Sequence, residues 1–368
     1  MSCPKQSAFS AAPDILPLTI PGRITAADLV DAIGSTCFEA RQLARGARLF
    51  RSMIEDGATL WLGIAGAGIA GGLGGLVTTL VERGFVDVIC TTGAQAYHDL
   101  HFAFGLPVKA VSPEGDDDDL RRRGDTRIYD IGIREEETLE AQDALLRRFV
   151  EERYESLRAS AGTRPGGLSS PEFTRLLGLW AAESAPHPDR SFVVAAARAG
   201  VPVFWDSFTN HSIGLNLARL ALEGREVSFS LAADIEQSAA VAFGAAETGF
   251  VELGGGGPKN FIQQTGPYVS QILGIKDFHG ASRGLQIGTA NVREGSLSSC
   301  TFGEAVTWGK YVEADEGKLV QLWGEYSILF PLLVAYVMDR CSERSHKRLQ
   351  DRLPELVQSL RAAVPPSE

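Results

Sequence analysis

The strongest constraint on the fold of this chain is a repeated order: a short apolar run, a glycine-rich or polar turn, and then residues at helical spacing. Residues 58–63 (Ala-Thr-Leu-Trp-Leu-Gly) enter Gly66-Ala67-Gly68-Ile69-Ala70-Gly71 and a helical stretch to Arg83. Residues 86–90 lead into Thr91-Thr92-Gly93, 201–205 into a polar loop at 206–212, and 249–253 into Gly254-Gly255-Gly256-Gly257-Pro258. Residues 285–288 lead into Thr289-Ala290-Asn291, and 318–323 precede an apolar helical stretch at 327–340. Such runs suit strands buried on both faces, and parallel neighbours need a crossover between them. The alternation predicts an α/β chain with a doubly wound, mostly parallel sheet and helices on both faces. The 40 glycines fit its many strand-to-helix turns.

Around this series the chain reads as follows. Residues 1–20 form an extended arm, ordered only where it docks. Residues 24–53, with Thr25 as N-cap, form an N-terminal helical extension over the sheet. Residues 114–119 with Arg121-Arg122-Arg123 form a solvated loop, because Asp116 to Asp119 lack the alternating ligands and closing Glu of a calcium loop. Residues 127–131 read as a strand, 136–157 as a long amphipathic helix, 159–167 as a linker, and 171–183 as a helix opened by Ser169-Ser170. A helical insertion at about 135–185 therefore interrupts the series. Residues 343–363 read as an exposed helix. The expected divisions are 1–57 for the arm and helices, 58–342 for the α/β domain, and 343–368 for the C-terminal helix and tail.

Chemistry concentrates in Gly303-Glu304-Ala305-Val306-Thr307-Trp308-Gly309-Lys310, which brings a carboxylate, an indole and an amine within a few residues. Glu304 pairs an ammonium and the Trp308 face adds up to about 2 kcal/mol where water is excluded. A lysine that loses water near another cation has its pKa lowered, so Lys310 becomes a candidate nucleophile toward a carbonyl or imine carbon. The alternative is a solvated helix end beside a buried Trp. Strand, G-x-G-x-x-G and helix at 58–83 fit either a dinucleotide phosphate turn or a tight packing turn, since Thr91-Thr92-Gly93 follows the next strand where a ribose-binding acid is expected. The net charge of −11 argues against nucleic acid. Five scattered cysteines (Cys3, Cys37, Cys90, Cys300, Cys341), without CxxC spacing, indicate neither a disulfide frame nor a metal site. With no basic n-region at the start and no apolar run of 18 residues, the chain reads as cytoplasmic, without a membrane partner.

Gly254 to Gly257 with Pro258-Lys259, Thr289-Ala290, Glu304 to Lys310 and Phe330-Pro331-Leu332-Leu333-Val334-Ala335 together resemble the deoxyhypusine synthase family, over about residues 58–340. The resemblance implies a Rossmann-like NAD-binding domain in a homotetramer with active sites across a subunit interface. It implies oxidation of spermidine to an imine, capture of the aminobutyl group on Lys310, transfer to an amine acceptor, and reduction by the same NADH. Gly66, Ala67, Gly68, Ile69, Ala70, Thr92, Gly93, Gly255, Thr289 and Ala290 fall on NAD-contacting positions, and Glu325 falls where the family places an acid on the cofactor. Glu304, Trp308, Gly295, Ser296, Ser298 and His98 are the expected substrate contacts, and Asn260 stands where the family has an active-site histidine.

The departures carry their own expectation. Leu215 and Leu297 replace carboxylates for the polyamine charges, Tyr97 and His98 replace an acidic pair, and Asn210 replaces an Asp. At about 1.5 to 3 kcal/mol per charged hydrogen bond, such losses count against an unchanged polycation. The expected activity is a deoxyhypusine synthase-like, NAD-dependent aminoalkyl transfer from a polyamine or diamine to a small amine, as in a homospermidine synthase. The alternatives are transfer to a protein lysine, or a non-catalytic NAD-binding homologue.

Overall fold

The computed structural model describes residue 9 and residues 12–162, 166–312 and 317–366; the start of the expected arm with Cys3, and residues 163–165 of the expected linker, lie outside the described residues. The strands are β1 (Thr59–Ile64), β2 (Val88–Thr91), β3 (Val108–Ala110), β4 (Asp125–Ile128), β5 (Ile131–Arg134), β6 (Val203–Trp205), β7 (Thr248–Leu253), β8 (Arg283–Gly288) and β9 (Leu319–Trp323). Six form one parallel sheet in the order β6-β2-β1-β7-β8-β9. The chain winds outward from β1 through β2 to β6, then returns to β7 beside β1 and continues to β8 and β9. The winding direction reverses between β1 and β7, where such sheets open a crevice at their carboxyl ends.

β1 and β7 are buried along their whole length, so their side chains enter two separate cores. On one face Leu60, Leu62, Ile64, Val251 and Leu285 meet helices Ala26–Ile33, Phe38–Glu55 and Tyr326–Arg340. Thr25 caps the first of these, accepting from the Asp28 N–H at 3.1 Å. Gly46 lets the second lie close on the sheet: a Cβ there would stand 2.9 Å from Leu285 Cδ1. On the other face Trp61, Phe204, Phe250 and Tyr311 meet helices Leu231–Phe243 and Leu349–Ala363. Burying one such side chain stabilises by about 1.5–3 kcal/mol.

The stretch expected as a helical insertion holds helices Ala141–Ala161 and Ser170–Ser184, the latter opened by a reciprocal capping box between Ser169 and Glu172. Three expectations need correction. Residues 117–122, expected within a solvated loop, form a short helix that Asp116 caps by accepting from the Asp118 and Asp119 N–H groups. Residues 127–131 are the turn of a hairpin rather than one strand: Ile128 pairs with Ile131, and β3, β5 and β4 make a separate antiparallel sheet. Tyr129 takes φ 53°, the left-handed conformation that two-residue hairpin turns need and that Gly or Asn normally signals. The C-terminal helix begins at Leu349 and is not free of the body, because Leu349, Leu353, Leu356 and Leu360 are buried. Helices Ser212–Leu222 and Leu231–Phe243 were not anticipated. Among the described residues, no helix is long and apolar enough to cross a membrane.

Candidate functional site

Lys310 is aimed by the end of a short helix. Thr301 caps Phe302–Thr307 by accepting from the Glu304 N–H at 3.2 Å, and the helix stops at Trp308. Gly309 then turns the chain at φ 70°, a conformation cheap only for glycine. The Lys310 backbone is fixed on both sides: its N–H donates to the Ala305 carbonyl at 3.1 Å and its carbonyl accepts from the Ala281 N–H at 3.0 Å. Gly280 makes this contact possible, since a Cβ there would lie 2.3 Å from the Lys310 carbonyl oxygen. As a result Lys310 is buried at 8% exposure while Trp308, two residues earlier, is 65% exposed.

These residues line a cavity of about 440 Å³ that also takes in Asn260, Glu294, Gly295 and Ser296. Lys310 Nζ donates to Asn260 Oδ1 at 2.9 Å. An amide oxygen orients the amine but takes no proton from it. Glu304 is exposed, so the cavity runs from an acid and an indole at its mouth to an amine held inside. Leu297 contributes an apolar wall where the resemblance places a carboxylate. Two expected substrate contacts fall outside the lining residues. Ser298 lies behind the wall, with its carbonyl accepting from Gln286 Nε2 at 3.0 Å. His98 lies on helix Gly93–Phe104 with Nδ1 3.0 Å from His101 Nε2.

The sequence reading missed a buried polar layer beside the cavity. Register places Glu252 of β7 between Gly63 of β1 and Gln286 of β8. Glu252 Oε1 accepts from Gln263 Nε2 at 2.7 Å and from the Tyr311 hydroxyl at 3.0 Å, whereas the buried Oε2 has no partner among the described residues. Burial raises the Glu252 carboxyl to about 7, against the pull of Lys259 and Lys310. Lys259 is buried and donates to the Cys300 carbonyl at 2.6 Å; burial lowers its pKa, partly opposed by Glu252. The signal available in sequence was Glu252 itself, a lone acid in an otherwise apolar strand.

The expected cofactor residues gather at the carboxyl ends of the parallel strands, and several of their groups are already engaged. Tyr326 places its hydroxyl 2.8 Å from the Gly68 nitrogen, accepting that N–H, and donates to the Ala65 carbonyl at 3.0 Å. Gln95 Nε2 donates to the Gly66 carbonyl at 2.7 Å. Thr92 caps its own helix, and Gly93 lies under His211, where a Cβ would stand 2.2 Å from Nε2. Glu325 caps helix Tyr326–Arg340, accepting from the Ser327 N–H at 2.8 Å. Gly255 packs on Ala65, leaving 3.1 Å to a notional Cβ. Ile69 and Ala70 are buried, Ala67 is half-buried, and Thr289 and Ala290 follow β8 at the rim. With the Gly68 N–H bonded and a ring against it, the turn does not fit a dinucleotide pyrophosphate in this arrangement.

Comparison with known proteins gives the same chemistry a context. The chain is 35% identical, over 94% of its length and 87% of the relative's, to the "Deoxyhypusine synthase-like protein" of Cyanothece sp.. It is 32% identical, over 86% of its length and 88% of the relative's, to the "Probable deoxyhypusine synthase 2" of Methanosarcina acetivorans. The solved "putative deoxyhypusine synthase from Entamoeba histolytica" shares the fold, with a TM-score of 0.57 and 18% identity over 88% of this chain and 96% of that one. The profile described as deoxyhypusine synthase matches residues 28–337, and the chain belongs to the deoxyhypusine synthase family, a family of transferases.

Proposed function

We propose that the chain transfers an aminoalkyl group, at the oxidation level of an imine, from a polyamine-derived donor to a small amine through a Schiff base on Lys310. The observation that carries this reading is the placement of Lys310 Nζ, buried and oriented by Asn260 at the inner end of a cavity whose mouth holds Glu304 and Trp308. The neutral lysine amine adds to the donor C=N carbon and the proton passes to the departing nitrogen. The old carbon–nitrogen bond breaks, the group remains as a Lys310 imine, and the acceptor amine reverses the sequence. No net oxidation or reduction occurs in this exchange. Outside the exchange, the family's reaction adds an oxidation and a reduction through NAD, and NAD dependence in this chain turns on the filled turn at Gly66 to Ala70.

The reacting group is a short alkyl chain bearing one ammonium. Among the described residues, Glu294 and Glu304 are the acids that line the cavity, while Leu297 supplies apolar wall. A small acceptor follows from the same lining, whose described residues give a second polycation few partners. The exposed Trp308, Leu297 and Val292 at the mouth suit cover by a second copy of the chain, as the expected interface-sited homotetramer requires. The test is an exchange assay in which an isotopically labelled amine displaces the amine of a preformed aminobutyl imine. Wild type accelerates the exchange and Lys310→Ala loses at least about a hundredfold. Equal rates would remove Lys310 from the chemistry.

A further inference from the structure

The turn after β1 has a glycine spacing associated with dinucleotide phosphates, and part of this chain already sits in it. Tyr326 comes from the first turn of helix Tyr326–Arg340, 258 residues away, and is buried at 9% exposure. Its hydroxyl uses both hydrogen-bonding roles on the turn, accepting from the Gly68 N–H and donating to the Ala65 carbonyl. A Cβ on Gly68 would lie 2.4 Å from that hydroxyl and 2.6 Å from the ring edge, and one on Gly254 would lie 3.1 Å from the ring. Gly254 follows β7, so the ring spans the crevice between β1 and β7 where the winding reverses. These glycines make room for a side chain of the chain itself, in the place where a glycine of this pattern usually admits a phosphate.

We propose that Tyr326 is a resident occupant of this crevice and competes with a nicotinamide dinucleotide for the Gly68 N–H. Its displacement sets the affinity for that ligand. The cofactor is admitted only with the phenol turned out, and wild type binds it weakly. The proposal concerns a different part of the molecule from the Lys310 chemistry, and the exchange assay above reads neither Tyr326 nor the cofactor.

Isothermal titration of NAD into the full-length protein tests it, with wild type, Tyr326→Phe and Tyr326→Ala compared at one pH and salt concentration. Tyr326→Phe frees the Gly68 N–H and keeps the ring, and should bind about threefold more tightly. Tyr326→Ala removes the ring as well and should bind at least about tenfold more tightly than wild type. Thermal melting monitors folding; if Tyr326→Ala does not fold, Tyr326→Phe decides alone. Equal affinity in the folded variants, weaker binding in either, or no binding by any of the proteins at millimolar NAD would overturn the proposal.

Discussion

Replacing Glu252 with Gln should change how stability depends on pH. The carboxyl is 2% exposed and burial lifts it from an ordinary 4.5 to about 7. Below the unfolded value both states hold the proton and the folded protein loses nothing. From the unfolded value up to the folded value the unfolded chain has released a proton that the native state still holds, so stability is lost as pH rises through that window and levels off above it. The gap between 4.5 and about 7, at about 1.36 kcal/mol per pH unit, amounts to about 3 kcal/mol by pH 8. Gln keeps an oxygen for Gln263 and Tyr311 but puts an amide NH₂ where Oε2 has no partner among the described residues, a cost of about 1–3 kcal/mol that does not vary with pH. Urea unfolding of both proteins at pH 5 and pH 8 separates the two effects. The variant should be the less stable protein at pH 5, and the difference should shrink or reverse by about 2–3 kcal/mol at pH 8. The same difference at both values would refute a carboxyl that titrates in the folded core.

Glu304→Gln should raise KM for a cationic amine about fivefold with a smaller change in kcat, because the acid stands at the mouth and meets the ammonium rather than the reacting carbon; steady-state kinetics with a neutral donor as control would show the effect confined to the charged one. Leu356→Ala, on the buried face of the C-terminal helix, should cost about 2–5 kcal/mol in chemical unfolding, whereas a free helix would lose almost nothing.

What the sequence displayed, and what it hid, follows from how local each feature is. β1, β7 and β8 are legible because strands covered on both faces must be apolar nearly throughout, and Pro258 near the start of helix Gly256–Gln263 marks the turn before it. The cluster of Glu304, Trp308 and Lys310 was legible because a capped helical turn and one glycine assemble it within seven positions. The hairpin at Tyr129 was hidden because a tyrosine occupies the left-handed position. The C-terminal helix was misjudged although Leu349, Leu353, Leu356 and Leu360 recur at helical spacing; its many charges lie on the other face. The bonds from Glu252 to Tyr311 and from Gly68 to Tyr326 join residues 59 and 258 positions apart, so no window of sequence contains them. Glycine spacing alone does not distinguish a turn shaped for phosphate from one shaped for a tyrosine ring.

The central claim is that Lys310 carries the transferred group covalently. Its most direct measurement is peptide mass spectrometry of the protein incubated with a polyamine-derived aminoaldehyde and reduced with borohydride, for wild type and for Lys310→Ala. A Lys310 imine should leave one aminoalkyl mass gain on the peptide that contains Lys310, absent from the variant. A mass gain spread over surface lysines and unchanged by Lys310→Ala, or no gain at all, would contradict it.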